Sequence, residues 1–296
     1  MPKPGFELRE PAAQTIPYVF DSPHSGDCYP QDFLQRSRLD STAIRRSEDA
    51  HIDALVGGVV ALGAPLLAAR FPRAWLDVNR EPYELDPRMF DGPLPGHANT
   101  RSLRVAGGLG TIPRVVAEGH EIYASRLSVA EGLARIDGYY RPYHATLRRL
   151  IAQTAVRFGH AILIDCHSMP SSVSNGAANR PDIIVGDRYG TSCGPNLTRA
   201  AMQAFASRGY RIARNKPYAG GFMTEHYGRP LKGLHALQIE VNRGLYMNER
   251  TLQRTSGFHA LRDDLTAIFA EMAALTLVPK SSGMVDPLTV QSLAAE

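Results

Sequence analysis

The sequence predicts an α/β protein: a single domain on a mostly parallel or mixed sheet, with helices on both faces. Short apolar runs rich in Ile, Val and Leu recur between Gly, Pro or Asp residues, and segments of helical periodicity lie between them. Such runs read as strands buried on both faces, and their alternation with helices implies a covered sheet. The chain has 296 residues, 44% hydrophobic and 21% charged, enough for a large core. No repeat and no shift of composition marks a second domain. One domain is therefore expected over 1–278, followed by a loose tail over 279–296.

The first strand is Pro17–Phe20. The stretch RRSEDAHIDALV then reads as the start of a helix with Asp49 and Asp53 on one face and Glu48 elsewhere. Leu66–Ala69 is the next strand, and the Pro- and Gly-rich 87–113 reads as a long loop. Tyr143, Leu147, Leu150, Ile151, Thr154 and Phe158 form one face of a helix that stops at Gly159. Strands Ala161–Ile164 and Ile183–Val185 follow. A helix opens at Pro195, carries Leu197, Ala201 and Phe205 on one stripe, and stops near Gly209. Ala236–Val241 is the last strand, and Leu261, Leu265, Ile268, Phe269 and Met272 mark the last helix.

Charge narrows the choice of partner. Lys and Arg number 33 against 29 Asp and Glu, a net +4, and the arginines are scattered. The pattern speaks against nucleic acid and suits a small anionic ligand. Cys28, Cys166 and Cys193 lack CxxC spacing and fit a reducing, cytoplasmic setting. The start MPKPGFELRE has no apolar core of a secretory signal. The longest apolar stretch, Leu55 to Ala69, is broken by Gly57, Gly58, Gly63 and Pro65 and falls short of the ~20 residues of a membrane span. A soluble protein without a membrane partner is expected.

Ligands of such sheets bind beyond the carboxyl ends of the strands. Three predicted strands end in chemistry-bearing residues: Asp21 to His24 in DSPHSG, Asp165-Cys166-His167-Ser168, and Glu240-Val241-Asn242-Arg243. Asp165 and His167 share one strand face. Two histidines from different strand ends need a third protein ligand to make a catalytic zinc site with an open position. The candidate acids near His24 are Asp27, Glu48, Asp49 and Asp53, while His51 reads as an ordinary helical residue. Glu240, at the end of the apolar ALQIEV, is a carboxylate with little structural reason to be there, and is the candidate general base.

The motifs SPHSG, EDAHID, DVNRE, DCHSMPS and LQIEVNRGLYMNE, in this order over roughly residues 15 to 250, resemble the N-formylglutamate amidohydrolase family. That family is in turn similar to zinc carboxypeptidases and aspartoacylase-type deacylases. The resemblance implies a doubly wound α/β fold of the zinc-carboxypeptidase, phosphorylase/hydrolase-like kind. It implies a zinc ion (or another divalent metal) on His24, Asp49 and His167, with Glu240 as base. In those relatives the first ligand pair is a close HxxE; here Asp27 stands at that spacing, and the resemblance favours Asp49 over it and over Glu48. Asn79 and Arg80 resemble the pair that holds a substrate carboxylate, a role the planar guanidinium fork suits. A second substrate carboxylate is expected on Arg243, with Arg180 and Arg229 as looser candidates. The glycine-containing YAGGFMTEHYG (218–228) reads as a ligand loop, with Thr224 and His226 as hydrogen-bonding candidates. The implied reaction is hydrolysis of N-formyl-L-glutamate to formate and L-glutamate, as in histidine degradation. The competing readings are a zinc-dependent deacylase or peptidase for another N-acyl amino acid, and a non-catalytic binder of such a ligand.

Overall fold

The computed structural model describes residues 5–117, 119–173 and 180–276. The tail expected over 279–296 lies outside the described residues. In chain order the strands are β1 Phe6–Arg9, β2 Tyr18–Ser22, β3 Leu66–Ala69, β4 Val115–Ala117, β5 His120–Glu121, β6 Ala161–Met169, β7 Ile183–Gly186, β8 Ile212–Arg214 and β9 Leu234–Asn242. The α-helices are α1 Gln31–Gln35, α2 Ile52–Leu55, α3 Leu103–Ala106, α4 Val129–Arg135, α5 Arg141–Phe158, α6 Pro195–Ala206, α7 Phe222–Tyr227 and α8 Gly257–Thr276. A π-helical segment, Ile136–Tyr140, joins α4 to α5.

A seven-stranded sheet has the order β1-β3-β2-β6-β9-β7-β8. β6 runs parallel to β2 and β9, β7 runs parallel to β8, and β7 lies antiparallel to β9. The sheet is thus mixed and mostly parallel, as the apolar runs imply. β4 and β5 form a separate antiparallel pair.

The chain divides into two compact units, 1–7 with 23–50 and 68–146, and 8–22 with 51–67 and 147–296. The second unit holds β2, β6, β7, β8 and β9. The predicted stripe of α8 is buried throughout, and Phe269 meets Phe20 of β2 edge-on at 4.9 Å between ring centres. The Tyr18 hydroxyl donates to the Met272 carbonyl at 3.2 Å, tying strand to helix at a second point. Burial of each such large apolar side chain contributes roughly 1.5–3 kcal/mol.

The first unit is loop-rich and uses polar clamps. Arg135 at the end of α4 is buried, with its guanidinium 4.8 Å from the centre of the Trp75 ring. It donates to the Trp75 carbonyl at 3.0 Å and to the Tyr123 hydroxyl at 2.7 Å. The stretch AWLDV (74–78), strand-like by its residues, is turn and irregular backbone. The 87–113 segment is not wholly loop, since it contains a short 3-10 turn at Pro87–Met89 and the one-turn α3. Among the described residues no helix is long and apolar enough to cross a membrane.

Candidate active site

His24 follows directly on β2 in a turn, as the SPHSG motif predicts. Gly26 is demanded there by space: a Cβ on it would stand 2.2 Å from the Phe71 carbonyl oxygen. The His24 carbonyl accepts the Asp49 backbone N–H at 3.0 Å, which brings the EDAHID segment against the turn. Asp49 is not on a helix, as EDAHID suggests. It lies in irregular backbone before α2, whose N-cap is His51 at φ 67°. The left-handed residue, two positions after Asp49, delays the start of α2 to Ile52 and dissolves the expected Asp49–Asp53 face.

The four candidate acids separate by their partners. Glu48 is buried and receives the Arg45 fork at 2.8 and 2.7 Å and the Tyr29 hydroxyl at 3.1 Å. Burial first, and then the Glu48 charge, push the Tyr29 phenol far above its ordinary value, so it stays a donor. Asp53 pairs with Arg9 at 3.2 Å, and Asp27 is exposed. Asp49 is buried, with Oδ2 3.4 Å from His24 Nδ1.

The other nitrogen of His24 is held by Asp77. His24 Nε2 lies 2.7 Å from Asp77 Oδ1. Burial works to raise the Asp77 carboxyl pKa, but Arg80, His24 and Arg73 outweigh it and keep the group well below the usual carboxylate range. An ionised carboxylate only accepts, so Nε2 donates to Asp77, and Nδ1 is the nitrogen that faces Asp49. Asp77 also accepts the Asn79 backbone N–H at 2.8 Å and the Arg73 guanidinium at 2.9 Å.

The 78–80 backbone is pinned from the start of α5 and its π-helical lead. His144 Nε2 donates to the Val78 carbonyl at 2.8 Å, and the Tyr140 hydroxyl donates to the Arg80 carbonyl at 2.7 Å. Arg80 donates through Nε to the Leu109 carbonyl at 2.8 Å and through Nη1 to the Asn79 carbonyl at 2.7 Å, with Nη2 3.6 Å from Asp77. Its guanidinium is therefore fixed in place rather than swinging on its stem. A cavity of about 330 Å³ elsewhere in this unit, lined by Arg38, Arg88, Arg114 and Arg126 among others, holds none of the predicted site residues.

In the second unit, β6 and β9 run further than the apolar runs indicate. Asp165 and His167 lie within β6, not past its end, and Glu240 lies within β9, as in the predicted Ala236–Val241. His167 and Glu240 are register partners on these parallel strands. His167 Nε2 lies 2.7 Å from Asp165 Oδ1, the residue two positions earlier on the same face. Glu240 is buried and its Oε1 accepts from Gln238 Nε2 at 2.8 Å. Arg243, buried just past β9, donates from Nε to Ser168 Oγ at 2.9 Å. In the 218–228 segment, Thr224 is buried and donates to the Gly221 carbonyl at 2.9 Å. His226 stacks on Phe222 with ring centres 5.0 Å apart. Arg180 and Arg229 are exposed.

Residues 16–247 match the family model for N-formylglutamate amidohydrolase. The chain belongs to that family. A protein of Pseudomonas putida named N-formylglutamate deformylase is 31% identical over 238 residues, 79% of this chain and 83% of the relative. A protein of the same name from Pseudomonas aeruginosa is 30% identical over 239 residues, 79% and 84% of the two chains. The crystal structure of N-formylglutamate amidohydrolase from Ralstonia eutropha JMP134 is 37% identical and superposes with a TM-score of 0.87, covering 92% of this chain and 98% of that one. A gene product of Agrobacterium tumefaciens shares the fold at 19% identity, with a TM-score of 0.65 over 93% and 95% of the chains.

For this N-formylglutamate amidohydrolase family member, the motifs nominate His24, Asp49, Asn79, Arg80, His167, Glu240 and Arg243, and three neighbours that touch them, Asp77, Asp165 and Gln238, do not stand out by sequence. Asp77 stands in the quoted DVNRE and Gln238 in LQIEVN, each two places from a predicted residue. Asp165 was grouped with His167 without its role as an imidazole partner. Spacing alone held a signal for Asp165 and Gln238, since residues i and i+2 share a strand face.

Proposed function

We propose that this chain hydrolyses the formamide bond of N-formyl-L-glutamate, releasing formate and L-glutamate, with a zinc ion held by His24, Asp49 and His167. The observation that carries the reading is family membership across residues 16–247, joined by relatives named for this deformylation. The three side chains suit a metal by their chemistry. Two imidazoles and a carboxylate make a three-liganded catalytic zinc set, and all three are buried. Each histidine has Nε2 beside a carboxylate, Asp77 or Asp165, the outer support usual for a metal-binding imidazole, which leaves Nδ1 as the donor. His24 Nδ1 and Asp49 Oδ2, 3.4 Å apart, are two donor atoms close enough to be shared by one cation. Zinc supplies Lewis acidity, lowering the pKa of water and polarising a carbonyl oxygen.

The chain's own groups carry the remaining work. Glu240 takes a proton from the attacking water and returns it to the departing amino nitrogen as the formamide C–N bond breaks. Asn79 and the Arg80 fork hold the α-carboxylate; because the Arg80 guanidinium is already braced by two backbone carbonyls, little rotamer freedom is lost on binding. Arg243 takes the side-chain carboxylate. His226 adds a hydrogen bond to substrate, while Thr224 shapes its loop.

The test is formate release by the purified protein with N-formyl-L-glutamate and N-acetyl-L-glutamate side by side, with metal content read by plasma mass spectrometry. Turnover of the formyl compound at about one zinc per chain is expected. Formate release absent at full metal loading overturns the reading, and turnover of the acetyl compound alone moves it to another N-acyl amino acid.

A further inference from the structure

Gln238 sits in the middle of β9, paired in register with Asp165 of β6 on one side and Gly186 of β7 on the other. It is 5% exposed. An amide buried in a central strand costs free energy unless both its ends are hydrogen-bonded. Here both are. Nε2 donates to Glu240 Oε1 at 2.8 Å, and Oε1 accepts the Gly221 backbone N–H at 2.8 Å. A backbone N–H only donates, so the amide oxygen must face Gly221 and the NH2 must face Glu240.

Gly221, at the N-cap of α7, is held at both of its backbone groups. Its N–H goes to Gln238 and its carbonyl accepts from Thr224 Oγ1 at 2.9 Å. The residue before it, Gly220, has φ +127°, and a Cβ there would lie 2.4 Å from Thr224 Oγ1. That turn leaves no room for a side chain and no freedom to shift without breaking the Gln238 contact.

We propose that Gln238 is a positioning residue that makes one rigid unit of the base and the ligand loop. By tying Oε1 of Glu240 it sets the direction of Oε2, and by the same amide plane it sets the height of the Gly220–Gly221 turn. A loop that rises from β9 takes the orienting donor away from the carboxylate, so alignment of the base and seating of the loop are gained or lost together. The inference rests on Glu240 being the general base, as proposed above.

Two variants separate the arms. Gln238→Met keeps the size and removes both bonds; Gln238→Glu still accepts from Gly221 but, where ionised, cannot donate to Glu240. Misalignment of a reacting group costs up to roughly 100-fold in rate, so kcat on N-formyl-L-glutamate should fall about 10- to 100-fold in both. Amide exchange at Gly221, read by hydrogen–deuterium exchange of the 218–228 peptides, should quicken in Gln238→Met and stay near wild type in Gln238→Glu. A merely structural glutamine predicts the same exchange pattern but wild-type kcat in Gln238→Glu; that result, or wild-type kcat in both variants, overturns the proposal. Glu240→Gln run alongside distinguishes the two failures. If it retains turnover, the base assignment has failed; if it is inactive while the Gln238 variants are not, this inference alone has.

Discussion

Asp77 Oδ1 and His24 Nε2 stand 2.7 Å apart, both buried, and the same carboxylate receives Arg73 and the backbone N–H of Asn79. One aspartate therefore orients a candidate metal ligand and fixes the segment that carries the candidate carboxylate clamp. Asp77→Asn keeps the shape, but its neutral amide no longer favours the Nε2–H tautomer. Loss of such a partner costs roughly 10–100-fold in metal affinity. Chelator competition against wild type reads it, and unchanged affinity would remove Asp77 from this role.

His24→Ala, His167→Ala and Asp49→Ala should each leave the purified protein without zinc, whereas Glu48→Ala should keep it. The contrast follows from Glu48 being taken up by Arg45 and Tyr29 while Asp49 faces His24. Metal content by plasma mass spectrometry decides between the neighbours; zinc lost from Glu48→Ala and kept by Asp49→Ala reverses the assignment.

Glu240→Gln should retain zinc and lose turnover. General acid–base catalysis contributes about 10²–10⁴-fold, so kcat should drop by that order. Metal loss would make Glu240 a ligand, and near-normal turnover would place the base elsewhere.

Arg80→Lys removes the planar fork and with it the donors now braced on the Leu109 and Asn79 carbonyls. Hydrogen bonds involving a charged group are worth ~1.5–3 kcal/mol, and kcat/KM for N-formyl-L-glutamate should fall correspondingly, mostly through KM. Wild-type kinetics would take Arg80 out of substrate binding.

Acid stability should depend on His235, in β9 and remote in role from the proposed chemistry. Burial, with a smaller contribution from His160, pushes its pKa down from 6.5 to about 4. Its Nδ1 accepts the Gly194 N–H at the start of α6, which needs that nitrogen unprotonated. The unfolded chain takes up this proton below pH 6.5 and the folded chain only near pH 4. Stability is therefore full above pH 6.5 and declines as the pH falls towards 4, by at most ~3 kcal/mol from this group. Urea unfolding of His235→Gln should show a shallower decline over that window; an identical slope would show that other groups govern it.

Much of this was legible because the strongest sequence signals are those of central strands. β2, β3, β6, β7 and β9 are continuous apolar runs, whereas β1 (FELR) and β8 (IAR) carry charges and are short, and register as strands only through their place in the sheet. By polarity Asp165 and His167 look like the end of a strand, so the apolar run stops β6 too early, whereas the run to Val241 falls one residue short of the end of β9. Ladder pairing out to Met169 and Asn242 keeps them inside it. In the site, residue types and order carried the metal and base candidates. Local periodicity misled over Asp49, because a left-handed His51 has no signature in the pattern. The Arg45–Glu48 pair, three residues apart, is the signal in the sequence that sets Glu48 apart from Asp49.

The Arg135–Trp75 contact makes the protein its own optical instrument. Trp75 is the single tryptophan of the chain, 7% exposed beneath a guanidinium in the first unit. Its emission thus reports on that unit alone, while far-ultraviolet dichroism is dominated by α8, α6 and the larger part of α5, which lie in the second. Two ordinary spectroscopic signals, recorded on one unlabelled sample, say whether the halves of this molecule melt as one body or as two.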